Sequence, residues 1–392
     1  MILLGAVLLS ATVWLYLALG HGRYWRLSER LDEARQPTAL PAGTAPSVAI
    51  IVPARNEAQT IERTATALLH QAYSGSVRLF VVDDSSADDT GALVKKLAEQ
   101  HLNLHLLTTT PLPPGWVGKM WAVNTGLEAV GLQSPLAEDV DYVLLTDADL
   151  ELHPNTLAHL VARAQASGDD LVSLMVYLTH GGGWPRLLIP AFVYFFQMLY
   201  PFAWVNKRTA RTAGAAGGCM LVRRCALERI EGVTGIRDRL IDDCALAAKL
   251  KANGSIWLGL ATHSQSIRPY ETLESVWNTV ARSAFVQLNR SWLALLGTTA
   301  GLLILYVLPL VVLGLQLVGA ITFCVWGTVA AGFALAIQAI TFKPITRFYS
   351  QPPWMALGLP IAGALYLAMT WDSALRDLRG RGVSWRGRVH HE

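Results

Sequence analysis

The sequence predicts an α/β domain flanked by membrane helices, and three features of its 392 residues indicate this. Short β-branched runs alternate with helical patterns between residues 48 and 146. Residues 1–19 carry no charged side chain, and further long apolar runs follow residue 293. With 52% hydrophobic and 16% charged residues, the chain is too apolar for an ordinary soluble protein.

The first membrane helix is expected over residues 1–22. Its uncharged stretch approaches the roughly 20 residues that cross a bilayer, and it lacks the basic start of a cleaved signal peptide. Four arginines follow it: Arg23, Arg26, Arg30 and Arg35. Because positive charge marks the cytoplasmic side, the chain after this helix is expected in the cytoplasm. Residues 23–46 are interpreted as a basic juxtamembrane segment and linker.

Residues 47–270 form the predicted α/β domain, and the elements up to residue 146 alternate along the chain. Strands are expected over 48–52, 78–82, 102–107 and 142–146, with helices over 60–71, 88–100 and 119–130. This alternation favours a largely parallel sheet covered by helices. Ligands of such sheets bind beyond the carboxyl ends of the strands. Polar stretches follow three of these strands: PARNE (53–57), DDSS (83–86) and DAD (147–149).

The apolar segments after residue 186 are assigned by their length and surroundings. Residues 187–205 lie between two acidic motifs, so we expect an interfacial helix, with a buried core helix as the alternative. Residues 271–292 read as an amphipathic interfacial helix. Residues 293–375 hold two or three spans (293–313, 321–342 and the candidate 354–371), followed by a basic tail over 376–392. Three spans would place that tail outside, against the charge rule, so the number stays open.

Charge and cysteine content exclude some classes of function. The net charge of +3 gives no indication of a nucleic-acid partner. None of the four cysteines forms a CxxC pair, so the sequence signals neither a zinc site nor a redox motif.

Asp147 and Asp149 follow the apolar run 142–146 directly. Two carboxylates in this position suit a hard divalent cation, Mg²⁺ or Mn²⁺, which binds one or two carboxylates and completes its shell with water and phosphate oxygens. The alternative is a solvated turn that caps the next helix.

Six motifs together resemble the family 2 glycosyltransferases of the GT-A fold. They are IVPARNEAQTI (51–61), VVDDSSADDT (81–90), TDADLELHP (146–154), GGCMLVRR (217–224), IDDCALAAKL (241–250) and QLNRSW (287–292). The resemblance runs from residue 48 to about 292 and implies a Rossmann-like domain that binds a nucleotide sugar.

The resemblance also implies roles for single residues. The donor would contact Pro53, Arg55, Asn56, Glu57, Asp84, Asp147, Gln287 and Arg290. Asp147 and Asp149 would hold the metal, and Asp243, which follows Asp242, would be the catalytic base. Asp242 stands where the family usually has Glu. Trp292 comes one residue later than the family pattern QxxRW requires.

Four further residues are weaker candidates. Lys119 could reach a phosphate or sugar, or it could be a solvated lysine at a helix start. Gly217 and Gly218 allow close approach of the backbone to an acceptor, or they form a plain turn. His263 follows the expected strand 255–259 and could be a third metal ligand, as in some GT-A enzymes, or a hydrogen-bonded core histidine.

Two further stretches resemble the bacterial hopene-associated glycosyltransferases: SIRPYETLESVWNTVARSAFVQL (266–288) and RGRGVSWRGR (379–388). This implies an inverting, metal-dependent, hexosyltransferase-like enzyme of the bacterial inner membrane with its catalytic domain in the cytoplasm. The donor would be a UDP-sugar, and the acceptor a membrane lipid such as a hopanoid or another polyprenoid. A processive polysaccharide synthase and a non-catalytic nucleotide-sugar-binding membrane protein are the alternatives.

Overall fold

The computed structural model describes residues 1–36, 44–131 and 140–380, and the backbone of two short paired strands, Ser384–Trp385 and Arg388–Val389. The centre of the predicted linker and most of the predicted basic tail lie outside the described residues. The chain divides into an α/β unit (Glu29–Thr179, Trp204–Pro269 and Ser384–Glu392) and a helical unit (Met1–Ser28, His180–Ala203 and Tyr270–Val383).

One mixed sheet forms the centre of the α/β unit. Its strands are β1 Arg30–Leu31, β2 Val48–Ala54, β3 Val77–Asp83, β4 Leu104–Thr108, β5 Tyr142–Thr146, β6 Leu150–Glu151, β7 Leu171–Tyr177, β8 Cys219–Arg223 and β9 Ile256–Ser266. The order is β1-β9-β7-β8-β5-β2-β3-β4, with β6 paired to β9.

The prediction of a largely parallel sheet is correct for only part of it. Strands β5, β2, β3 and β4 are mutually parallel, as are β7, β9 and β1. Strand β8 runs antiparallel to both of its neighbours, β5 and β7. The strand–helix alternation that supported a parallel sheet covers only residues 48–146, so it carried no information about β7 and β8.

The helices expected over 60–71, 88–100 and 119–130 are present to within two residues at each end, whereas the bounds of the other expected helices differ by more. In chain order they are α1 Ile2–Leu19, α2 Ile61–Leu69, α3 Thr90–Ala98, α4 Gly118–Ala129, α5 Thr156–Ser167, α6 Pro185–Leu199, α7 Phe202–Val205, α8 Arg224–Arg229, α9 Asp242–Lys251, α10 Leu273–Gln287, α11 Trp292–Leu302, α12 Leu308–Leu317, α13 Val325–Phe348 and α14 Leu359–Leu378. Every residue of β2 is buried, which is typical of a parallel strand covered on both faces.

The helical unit contains the apolar segments. Within the described ranges, five helices are long and apolar enough to cross a membrane by length and composition: Ile2–Leu19, Pro185–Val205, Trp292–Leu317, Val325–Phe348 and Pro353–Leu378. Helix α6 continues through Pro190 and includes the fully buried Tyr194, whose hydroxyl lies 2.7 Å from the Tyr24 hydroxyl and 2.8 Å from that of Thr341. Its predicted interfacial position stays a prediction.

The end of the predicted juxtamembrane segment is part of the α/β unit. Strand β1 pairs in parallel with β9, with Arg30 opposite Leu260. Beyond it, the fully buried Glu33 carboxylate accepts hydrogen bonds from the Thr262 backbone N–H and hydroxyl, both at 2.8 Å, and from the His263 N–H at 3.1 Å. Burial alone would raise the pKa of Glu33, but these hydrogen bonds hold it below its usual value. This carboxylate therefore fixes β1 to the sheet edge.

Replacing Glu33 with Ala is expected to destabilise the α/β unit by about 2 kcal/mol, because buried backbone donors lose their acceptor. Thermal unfolding of the purified chain, followed together with proteolysis near residue 36, measures the effect. For the wild type, this stabilisation should be lost as the pH falls through the lowered pKa of Glu33. An unchanged melting temperature in Glu33→Ala would show that the contact contributes nothing.

Candidate active site

The polar residues after β2 and β3 bind each other at the carboxyl edge of the sheet. The Arg55 guanidinium donates to the Asp84 carbonyl and lies 3.5 Å from the Asp84 carboxylate. Asp84 is fully buried and also accepts from the Thr109 hydroxyl at 3.0 Å. Asn56 has a left-handed backbone (φ 53°), and its side-chain oxygen accepts from the Ala87 N–H at 2.8 Å. Arg55, Asn56 and Asp84 therefore lie together, and their contact with a nucleotide stays a prediction.

Glu57 has a partner that the sequence gave no reason to expect. Its buried carboxylate lies 2.8 Å from the Arg268 guanidinium and accepts from the Thr60 hydroxyl at 3.0 Å. Arg268 comes two residues after the end of β9, 211 positions from Glu57. The pair joins the loop after β2 to the chain leaving β9, so Glu57 has a structural role whether or not it contacts a donor.

Lys119 lies between two acidic motifs. It is the second residue of α4, and its ammonium lies 3.0 Å from Asp147 Oδ1 and 3.3 Å from Asp242 Oδ2. Its side chain is 21% exposed. Burial alone would lower the pKa of Lys119, but Asp147, Asp242 and Asp243 raise it well above its usual value. Lys119 therefore stays charged. It lies at a helix start, as the alternative interpretation expected, but that interpretation is wrong in making the side chain solvated.

Asp243, the predicted base, is held by two backbone donors. Its Oδ1 accepts from the Cys244 N–H at 2.7 Å and its Oδ2 from the Gly217 N–H at 2.9 Å. Burial and the neighbouring Asp242 raise the pKa of Asp243 to about 6. A carboxylate with this pKa is ionised at neutral pH and accepts a proton more readily than an exposed aspartate does.

Gly217 and Gly218 line the same site. A Cβ at Gly217 would lie 3.2 Å from Asp243 Oδ2, and one at Gly218 would lie 3.0 Å from Leu150 and 3.6 Å from Asp147 Oδ2. The Gly218 carbonyl accepts from the Thr146 hydroxyl at 2.9 Å. The two glycines bring the loop before β8 against the acidic residues, where a larger residue would push on a carboxylate.

Asp149 belongs to a fixed turn. Its carbonyl accepts from the Ile267 N–H at 2.7 Å, and β6, which follows it, pairs with β9 through Leu150 and Ser266. Mg²⁺ and Mn²⁺ need one or two carboxylates, with water and substrate phosphates filling the other positions. Asp147 and Asp149 provide such a donor set, and the part of the chain that the structure describes contains no group of three His, Cys, Asp or Glu that could hold a metal.

His263 is therefore not brought together with Asp147 and Asp149 as a third ligand. Strand β9 extends beyond the expected strand 255–259, so His263 lies within it and does not follow it. Its ring is 5.5 Å from that of His153, and its Nδ1 lies 2.8 Å from the Thr262 hydroxyl. The predicted role of His263 as a metal ligand has no support in this arrangement.

The other predicted donor residues lie in the helical unit. The Gln287 amide donates to the Tyr200 hydroxyl at 2.6 Å, and Arg290 lies 3.3 Å from Asp377. Their proposed contact with the diphosphate stays a prediction. Arg290 has a left-handed backbone (φ 52°) immediately before the apolar segment that begins at Trp292.

A small cavity lies beside Lys119. Pro53, Lys119, Asp147, Gly217 and Asp242 line it. Val233 and Ile236 complete its apolar wall, and no sequence motif had indicated them. The arrangement can hold an anionic group against Lys119 and place a proton acceptor, Asp243, next to the glycine loop.

The fold is that of a GT-A transferase. The solved mannosyltransferase PcManGT from Pyrobaculum calidifontis, in complex with GDP-Man and Mn²⁺, aligns with 95% of this chain and 99% of its own chain at a TM-score of 0.53. The two sequences are 22% identical, so the likeness shows the fold alone.

The sequence also matches two family profiles. Glycosyl transferase family 2 matches residues 49–231, and Glycosyl transferase family group 2 matches residues 142–342, just over half of the 392 residues. The chain belongs to glycosyltransferase family 2.

Three named relatives are each 30% identical over part of the chain. The glycosyltransferase AglE of Haloferax volcanii aligns over 36% of this chain and 42% of its own length. The β-monoglucosyldiacylglycerol synthase of Trichormus variabilis aligns over 30% and 24%, and the succinoglycan biosynthesis protein ExoO of Rhizobium meliloti over 38% and 42%. This chain therefore spans less than half the length of each of these relatives.

Gly217→Ala is expected to lower the transfer rate by up to about tenfold, because the added Cβ would lie 3.2 Å from Asp243 Oδ2 and shift the carboxylate slightly. Steady-state kinetics of the purified chain measures it. Gly182→Ala is the matched control, since a Cβ there meets nothing within 4 Å. Equal rates for Gly217→Ala and the control would contradict the close packing of this loop.

Proposed function

We propose that this family 2 glycosyltransferase moves a sugar from a UDP-linked donor to a hydroxyl group of a membrane lipid, with inversion at the anomeric carbon. The observation that carries the proposal is the cluster of Lys119, Asp147, Asp242 and Asp243 beside the Gly217–Gly218 loop. It combines a cation for a diphosphate with a base for an acceptor at the edge where α/β sheets bind ligands.

The base is Asp243. As the acceptor oxygen bonds to the anomeric carbon, its proton passes to the Asp243 carboxylate and the bond to the diphosphate breaks. A positioned general base contributes about 10²- to 10⁴-fold to such a step. The Gly217 N–H, 2.9 Å from Asp243 Oδ2, fixes the direction of the carboxylate.

Lys119 and the proposed divalent cation would stabilise the leaving diphosphate. The Lys119 ammonium is half-buried, where its charge is less screened than in water. A divalent cation held by Asp147 and Asp149, Mg²⁺ or Mn²⁺, would supply further charge neutralisation. Arg55, Asn56 and Asp84 would orient the nucleotide. Gln287 and Arg290 are further candidates for contact with the diphosphate, by the resemblance of their motif alone.

Two observations support a lipid acceptor. Among the residues that the structure describes, five helices are long and apolar enough to cross a membrane, and one relative is named a β-monoglucosyldiacylglycerol synthase. We propose a hopanoid or another polyprenoid as the acceptor, and the bacterial inner membrane, with the α/β unit in the cytoplasm, as the location.

The test is transfer from a panel of UDP- and GDP-sugars by the full chain in bilayer discs, with and without Mn²⁺ and lipid extract. We expect one donor to be consumed, and Asp149→Asn and Asp243→Asn to lower its transfer at least about 10²-fold. Asn removes the charge at nearly constant size. Asp32→Asn is the matched control, because the Asp32 side chain is exposed and pairs locally, with Arg35.

The outcomes separate the alternatives. A lipid-linked monosaccharide would support the proposal, and a polymer would favour a processive synthase. Binding of a donor without turnover under any condition would replace the proposal with a non-catalytic binding protein.

The pH profile tests the base. With a pKa of about 6, Asp243 is protonated at pH 5 and ionised at pH 7, so kcat/KM should rise across this interval. Asp242→Asn removes the like charge beside Asp243 and should move the inflection to lower pH. A rate that falls between pH 5 and 7, or an inflection unchanged by Asp242→Asn, would refute this assignment.

A further inference from the structure

Lys119 contacts the carboxylate that the proposed metal also needs. Its ammonium lies 3.0 Å from Asp147 Oδ1, within hydrogen-bond distance, and 3.3 Å from Asp242 Oδ2. A divalent cation bound to Asp147 would lie within a few ångströms of this ammonium and repel it. The two cations therefore compete for Asp147.

Asp242 can hold the Lys119 ammonium in the site after it leaves Asp147. It is the first residue of α9, and its side chain is 13% exposed. Asp242 Oδ2 has no hydrogen-bond partner among the described residues apart from this ion pair with Lys119. Lys119 can give up Asp147 and keep Asp242, staying close to the cavity that both carboxylates line.

We propose that Lys119 is an internal counter-ion that weakens binding of a free divalent cation and yields Asp147 to a cation that arrives with a nucleoside diphosphate. The negative charge of the diphosphate then attracts both Lys119 and the metal, so that the two cations no longer compete for Asp147 alone. Metal and donor consequently bind with positive coupling, and Lys119 is the residue that produces this coupling. The inference rests on the proposed function, because the metal is that of the proposed transfer reaction.

The test measures Mn²⁺ binding and not activity. Titration of the full chain in bilayer discs, followed by the paramagnetic resonance signal of free Mn²⁺, gives the Mn²⁺ affinity with and without UDP. We expect weak binding to the wild type that UDP strengthens. In Lys119→Met, Mn²⁺ without UDP should bind about tenfold more tightly, and the effect of UDP should shrink. Lys119→Arg keeps the charge and should resemble the wild type.

Two controls locate the effect. Lys249→Met removes a charge from α9, two turns beyond the acid pair, and should leave the Mn²⁺ affinity unchanged. In the Asp147→Asn background, Lys119→Met should give no gain, because the contested ligand is gone. Lys119→Gln repeats the test if Lys119→Met does not fold.

Unchanged or weaker Mn²⁺ binding in Lys119→Met and Lys119→Gln would overturn the inference, as would a gain that persists in Asp147→Asn. These results are independent of the transfer assay. Sugar transfer without the Mn²⁺ effect refutes only the role of Lys119, whereas the Mn²⁺ effect without any transfer refutes only the proposed reaction.

Discussion

A single ammonium group among three carboxylates is the interaction on which the site depends. Asp147, Asp242 and Asp243 come from two elements distant in sequence, and their mutual repulsion in a partly buried space would push β5 and α9 apart. Lys119 lies between them, 3.0 Å from Asp147 and 3.3 Å from Asp242. Because a removed partner leaves uncompensated buried charge, this lysine also stabilises the structure around the site.

The backbone around this cluster permits the close approach. Asp147 comes directly after β5, and the antiparallel β8 brings the Gly217–Gly218 loop back to the same edge. A Cβ at either glycine would press on a neighbouring side chain. The antiparallel direction of β8 is thus what places a small loop next to the base.

Local patterns in the sequence predicted the parts of the structure that depend on neighbouring residues. The strand 142–146 and the polar residues at its end follow from an apolar run that stops at Asp147, and α4 and the apolar helices follow from periodicity and composition. The motifs also predicted the family and the fold.

The sequence did not indicate contacts between residues that are far apart in the chain. Nothing near Glu57 indicates Arg268, and nothing near Glu33 indicates Thr262, because both contacts depend on sheet order. The direction of β8 was missed for the same reason. His263 was misplaced because the expected strand 255–259 ended too early, and a longer strand turns its ring toward His153.

Asp242 stands where the family usually has Glu. We expect Asp242 and Asp243 to have different roles. Asp242 begins α9, where the helix dipole favours negative charge, and its short side chain ends beside Lys119. Burial and the neighbouring Asp242 raise the pKa of Asp243 to about 6. Asp242 is therefore the partner of the ammonium, while Asp243 can take up a proton near neutral pH. A longer side chain at position 242 would carry its carboxylate farther along the cavity and change the distance over which Lys119 joins the two acidic motifs.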